Sequence, residues 1–97
     1  MSAATLRLGT NARLLGKSLV ADCLEGIASD GVISDGIDGH IALFLDPTRS
    51  PGFADIAPGV RACIERRVAG RTVYVDTYSS PSNARRDFDT ITRQRSL

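Results

Sequence analysis

The chain has 97 residues, 42% of them hydrophobic, and a formal net charge of +1. That length supports one domain with one core, which buries roughly 60–65% of the surface its unfolded chain exposes. With total stability of about 5–15 kcal/mol it leaves little room for a deep internal cavity, so a surface or interface site is expected. The near-neutral total excludes bulk electrostatic attraction as the main theme, but the charge is uneven: residues 1–60 hold four basic and seven acidic side chains (−3), and residues 61–97 hold eight basic and four acidic (+4).

In "TLRLG" (5–9), Leu6 and Leu8 alternate with polar neighbours, the period of a short half-buried strand. The period then changes. Leu15, Leu19, Val20, Cys23, Leu24 and Ile27 recur at three- and four-residue steps behind Thr10 as an N-cap, which predicts an amphipathic helix near 11–29. Gly31 stands where a helix ends on a left-handed residue, and Ser34 is placed to cap a second helix near 35–45 with Ile37, Ile41, Phe44 and Leu45 on one face. The same residues admit a rival reading of "HIALFL" (40–45) as a buried strand, because Gly36 and Gly39 each cost a helix about 1 kcal/mol. We favour the helix.

The stretch from Asp30 to Ile37, "DGVISDGI", resembles the middle of an EF-hand and the EF-hand-like corners of tellurite-resistance-type helical domains. The resemblance is local and implies a corner between two helices. Set against a calcium loop, with Gly31 as its central glycine, it puts Gly26, Ala28 and Ile37 where oxygen ligands are needed, so calcium binding is not expected.

"DPTRSPGF" (46–53) reads as a loop. Pro58 fits the first turn of a third helix near 58–69, with Val60, Cys63, Ile64 and Val68 inward, Arg66 and Arg67 at its negative end and Gly70 beyond it. "RTVYVDTY" alternates as a strand near 72–78. Ser80 and Pro81 then open a last helix near 81–95, with Ala84, Phe88 and Ile91 inward and Arg85, Arg86, Asp89, Arg93 and Arg95 outward. The expected fold is a mainly helical α+β domain whose small sheet pairs residues 5–9 with 72–78. Two strands alone are marginal, so the sheet is expected to gain a further strand or a partner chain, which points to a homodimer.

Few chemistries find their parts. Cys23 and Cys63 lie 40 positions apart without a C-x-x-C, and His40 is the only histidine, so we expect two reduced core thiols and no zinc site. No G-x-S-x-G, Walker or dinucleotide glycine motif occurs, so no nucleophilic triad and no cofactor are expected. His40 with Asp35, Asp38 and Asp46 offers the parts of a metal-dependent enzyme, the third of three readings. A signal-peptide pattern and a run near 18 apolar residues are both missing, so a cytoplasmic protein without a membrane partner is expected.

Eleven of the twelve basic residues are arginine, whose planar fork suits bidentate contact with carboxylate or phosphate. The first reading is therefore a non-enzymatic interaction module, a small regulator or inhibitor of a larger protein or ribonucleoprotein, with Arg67, Arg71, Arg85 and Arg86 as the partner surface. The second is a direct nucleic-acid binder that adds Tyr74 and Tyr78 as stacking platforms. Glu65, Asp87 and Asp89 are spaced to pair with these arginines, and a salt-bridged solvated face is the plain alternative to both.

Overall fold

The interior strands of this protein's sheet carry apolar side chains on both faces, and that pattern decides the architecture. A computed structural model describes residues 5–6 and 19–95. The elements are β1 (Thr5–Leu6), α1 (19–25), β2 (Gly31–Ser34), β3 (Gly39–Phe44), a 3-10 turn (Pro47–Arg49), α2 (Phe53–Ile56), β4 (Ala62–Val68), β5 (Arg71–Tyr78) and α3 (Pro81–Arg95). The strands form one antiparallel sheet in the order β1-β5-β4-β3-β2.

Ile41 and Leu43 of β3, Ala62 and Ile64 of β4 and Tyr78 of β5 face α3, where Ala84 and Phe88 complete a buried cluster. Phe44 and Cys63 face the other way, onto Val20 and Leu24 of α1, with Phe53 and Val60 closing that side. One sheet thus separates two apolar layers. The β4–β5 connection is a two-residue turn in which Ala69 (φ 52°) and Gly70 (φ 77°) are both left-handed, the geometry whose twist matches an antiparallel pair. The Ala69 N–H donates to the Asp38 carbonyl at 2.9 Å, which docks this turn on the β2–β3 turn.

Several expectations hold. Helix 81–95 and the strand near 72–78 are found with nearly the predicted bounds, and at the opening of the helix the Ser80 hydroxyl accepts the Asn83 N–H at 3.4 Å. β1 pairs with β5 through Thr5↔Tyr78 and Leu6↔Thr77. The predicted helix near 11–29 is helical over 19–25, and its first part, like residues 7–9 of the first strand, lies outside the described residues.

Two predicted helices are strands, so the fold is α+β but not mainly helical. Residues 35–45 form the β2–β3 turn and β3, and residues 58–69 contain β4. Their apolar residues satisfy a helical spacing because the stretches covered on both faces, 41–45 and 62–64, are apolar without a break, which erases the two-residue period there. Ile37, expected in the core, is fully exposed at the hairpin turn. Gly31 ends no helix; it lies in β2, where an added Cβ would stand 3.1 Å from the Phe88 ring. Gly39 is required by a closer approach, since its Cβ would meet the Asp35 carbonyl oxygen at 2.8 Å. The loop 46–53 contains the 3-10 turn and delivers Phe53 into the core. The further strands that the sheet was expected to gain are supplied by the chain itself.

Cys23 and Cys63 are free thiols, Cys63 fully buried, but Cys63 sits on a strand rather than on the predicted helix. Burial, reinforced by the neighbouring Glu65 carboxylate, pushes the Cys63 thiol from 9.0 up to about 12. The unfolded thiol ionises first, so this contribution to stability is complete below pH 9.0 and is lost as pH rises toward about 12. Denaturant unfolding of the native chain above pH 9.0 is expected to lose stability more steeply than that of Cys63→Ala, by up to about 1.4 kcal/mol per pH unit. Parallel pH profiles for the two proteins would show that the thiol is not held protonated.

Candidate functional site

Arg66 and Arg67 are consecutive residues of a central strand, so their side chains leave the sheet on opposite faces. Arg66 points to the α3 face, where its Nε lies 2.5 Å from Oδ2 of Asp35, a carboxylate with only 1% of its side chain exposed. Arg67 points to the α1 face, where its Nε lies 3.2 Å from Glu65 Oε1 and its Nη2 lies 3.5 Å from Glu25 Oε1. Glu65 is 2% exposed and also accepts the Thr72 hydroxyl at 2.7 Å. A strand irregularity between Arg66 and Arg67 brings Thr72 opposite Arg67 and within reach of that carboxylate. Both arginines therefore neutralise carboxylates of the chain itself. They are not at a helix terminus, as their spacing suggested.

The arginines of α3 differ. Arg85, Arg86 and Arg93 are exposed, and at 100° per residue they fall within an arc of about 100° on the helix surface. Arg86 Nη2 donates to Asn83 Oδ1 at 2.5 Å and Arg93 Nη2 to Thr90 Oγ1 at 3.2 Å, both neutral acceptors on the same helix. Asp89 lies in the same arc, yet none of the three arginines forms an ion pair among the described residues. Asp87 is turned instead toward the sheet, where its Oδ2 accepts the Tyr78 hydroxyl at 2.9 Å. Among the described residues the salt-bridged helix face expected from the spacing of Asp87 and Asp89 is not formed.

The four arginines singled out in the sequence are thus not one face. Arg85 and Arg86 stand together on α3, beside the end of β5. Arg71 begins β5, seven residues from Tyr78, which at about 3.3 Å per residue sets it roughly 20 Å from that end. Arg67 is on the opposite side of the sheet from α3. Of the two tyrosines, Tyr78 is buried with its hydroxyl on Asp87 and cannot stack on a base, while Tyr74 is half-buried against a hollow shared with Ile41, Ile91 and Gln94.

His40 is exposed on the α1 face, opposite Arg67 in the strand register. Its aspartates do not gather round it. Asp35 belongs to the other face with Arg66, Asp38 is in the hairpin turn, and Asp46 lies beyond the far end of β3, hydrogen-bonded to the Thr48 hydroxyl. Among the described residues no group of three or more histidine, cysteine, aspartate or glutamate side chains is arranged to hold a metal. Asp30, the acidic residue of the EF-hand-like stretch, accepts the Leu45 N–H on Oδ2 at 2.7 Å, and its own N–H donates to the Leu43 carbonyl at 2.7 Å. It closes a strand pair, so the stretch is a β-hairpin and not a corner between helices.

What the α1 face does contain is a groove of about 280 Å3, floored by Leu24, Ile27, Val32, Ala42 and Phe44 and rimmed by Glu25, His40 and Arg67. It was not legible in the sequence, because its walls come from α1, β2, β3 and β4. No family model, no curated protein and no solved structure matches the chain. Among the described residues no helix is long and apolar enough to cross a membrane.

Proposed function

We propose that this protein is a non-enzymatic interaction module, a small regulator or inhibitor that covers a carboxylate-bearing surface of a larger protein with the outer face of α3. The observation that carries this reading is the set of exposed side chains of Arg85, Arg86 and Arg93, of which Arg86 and Arg93 hydrogen-bond to neutral groups, while Arg66 and Arg67 are neutralised internally. Neutral acceptors hold a guanidinium in place without cancelling its charge, which leaves the remaining donors free for a bidentate partner. The surface is narrower than the one the sequence suggests: Arg67 is engaged by Glu65, and Arg71 stands at the far hairpin turn.

The test is capture from a lysate of the source cells by the native chain and by Arg85→Glu/Arg86→Glu. Both side chains lie away from Ala84 and Phe88, so unfolding curves of the two proteins should coincide. Recovery of the partner should fall by tenfold or more, equivalent to about 1.4 kcal/mol. Equal recovery would mean that the arginines are only a solvated face. Direct nucleic-acid binding, the second reading, shows itself as a shift with a mixed DNA and RNA pool whose log affinity falls against log salt by about 0.9 per phosphate contacted.

A further inference from the structure

Among the described residues β2 is an edge strand, bonded to β3 on one side only. The Asp35 N–H donates to the Gly39 carbonyl at 2.7 Å, which makes 35 and 39 a hydrogen-bonded pair. Antiparallel alternation then makes Ile33↔Ile41 and Gly31↔Leu43 the next such pairs, so the N–H and C=O groups of Val32 and Ser34 point outward from the sheet. Edge strands are ordinarily blunted by lysine, proline or an inward charge. β2 has none of these in "GVIS", and Val32 is 56% exposed.

Two further features surround this edge. The side chain of Val32 forms one wall of the 280 Å3 groove, so a strand laid beside β2 would place its alternate side chains over a floor of Leu24, Ile27 and Phe44. Between Lys17 and Arg49 the chain has no lysine or arginine but six acids, of which Asp35 is neutralised by Arg66, Glu25 is paired with Arg67 at 3.5 Å though 62% exposed, and Asp30 and Asp38 are exposed. A second copy would bring the same acids to the same edge.

We propose that the β2 edge and the groove behind it form a second docking surface, which adds an extended segment of a partner protein carrying alternating aliphatic residues between basic flanks. This surface lies across the sheet from the α3 arginines and stands whether or not they bind. Backbone pairing to Val32 and Ser34 supplies the register, the groove takes an aliphatic side chain, and the acids hold the flanks.

The probe is a synthetic peptide of alternating valine and threonine bracketed by lysines, titrated into the native chain and followed by amide hydrogen exchange. The expected result is binding that slows exchange at the Val32 and Ser34 amides by about tenfold or more, with a peptide bracketed by glutamates bound about tenfold more weakly. Val32→Pro removes an outward N–H and no bond to β3, so it should keep the fold and lose about tenfold or more in affinity, while Val32→Thr keeps binding. If Val32→Pro does not fold, exchange in the native chain and binding by Val32→Thr still decide the matter. Unchanged exchange at Val32 and Ser34 under saturating peptide, equal binding of the glutamate-bracketed peptide, or self-association of the chain through β2 would each overturn the proposal.

Discussion

Phe88→Ala is expected to lower the stability of the protein by about 3–5 kcal/mol, a large part of the 5–15 kcal/mol typical of a domain. Phe88 is 6% exposed and sits in the layer formed with Ile41, Leu43, Ala62, Ile64, Tyr78 and Ala84. Its ring covers Gly31, whose missing Cβ is what lets α3 approach the edge of the sheet. Truncation removes the apolar contacts and leaves a cavity between a helix and strands that cannot close over it, because the antiparallel ladder fixes their spacing. The glycine supplies an internal check. Gly31→Ala alone crowds the ring, but in the Phe88→Ala background the added methyl enters the space left behind, so the double variant should be more stable than the sum of the single losses. Urea unfolding of the four proteins measures this, and a loss below about 0.5 kcal/mol for Phe88→Ala would mean that α3 does not pack as described.

A second large effect is expected at Arg67. Arg67→Met leaves the Glu65 carboxylate, which is 2% exposed, with the Thr72 hydroxyl but without the guanidinium 3.2 Å away. Glu65 is buried but the Arg67 side chain is 30% exposed, so stranding the carboxylate costs about 1–3 kcal/mol, below the figure for a fully buried pair, whereas replacing both members by apolar side chains is often close to neutral. Glu65→Leu/Arg67→Met should therefore recover most of what Arg67→Met loses. A single variant as stable as the native chain would show that Arg67 does not neutralise Glu65. Arg67 is a poor place to test partner binding, since its loss disturbs the fold, and Arg85 and Arg86 are the informative pair.

α3 has one face in the core and one in water, with Ala84, Phe88 and Ile91 on one side and arginines on the other, so local spacing gives its bounds. β5 is legible from its β-branched and aromatic run, although Val75 and Tyr78 pack on opposite faces of the sheet. β3 and β4 lack that contrast. Ile41 and Leu43 meet α3 while Phe44 meets α1, and Ile64 meets α3 while Cys63 meets α1. An unbroken apolar run such as 41–45 fits a helix as well as a strand, and only Gly36 and Gly39 argue for the hairpin. The glycine expected at the end of the helix near 58–69, Gly70, is indeed left-handed, but it serves a two-residue strand turn instead.

The arginines were misgrouped for a related reason. Charge counts along the chain show a basic second part, but not that consecutive arginines on a strand part company across the sheet. Nor do they show that Asp35, 31 positions before Arg66, returns to neutralise it. Only Arg85, Arg86 and Arg93 keep the arrangement expected of them, because a helix face is set by local spacing alone. The groove, and the place of β2 at the sheet edge among the described residues, needed the tertiary structure, since both depend on how separate elements are arranged.

The claim that α3 presents arginines to carboxylates of a partner protein is tested most directly by a charge-swap cycle on the captured complex, after nuclease treatment. The native chain and Arg85→Glu/Arg86→Glu are each titrated with the native partner and with a partner whose facing carboxylates are changed to lysine. The account predicts that either reversal alone weakens binding by tenfold or more, and that the two reversals together restore most of it, a coupling of at least about 1.4 kcal/mol. Losses that simply add, or binding that disappears with the nuclease, would contradict it.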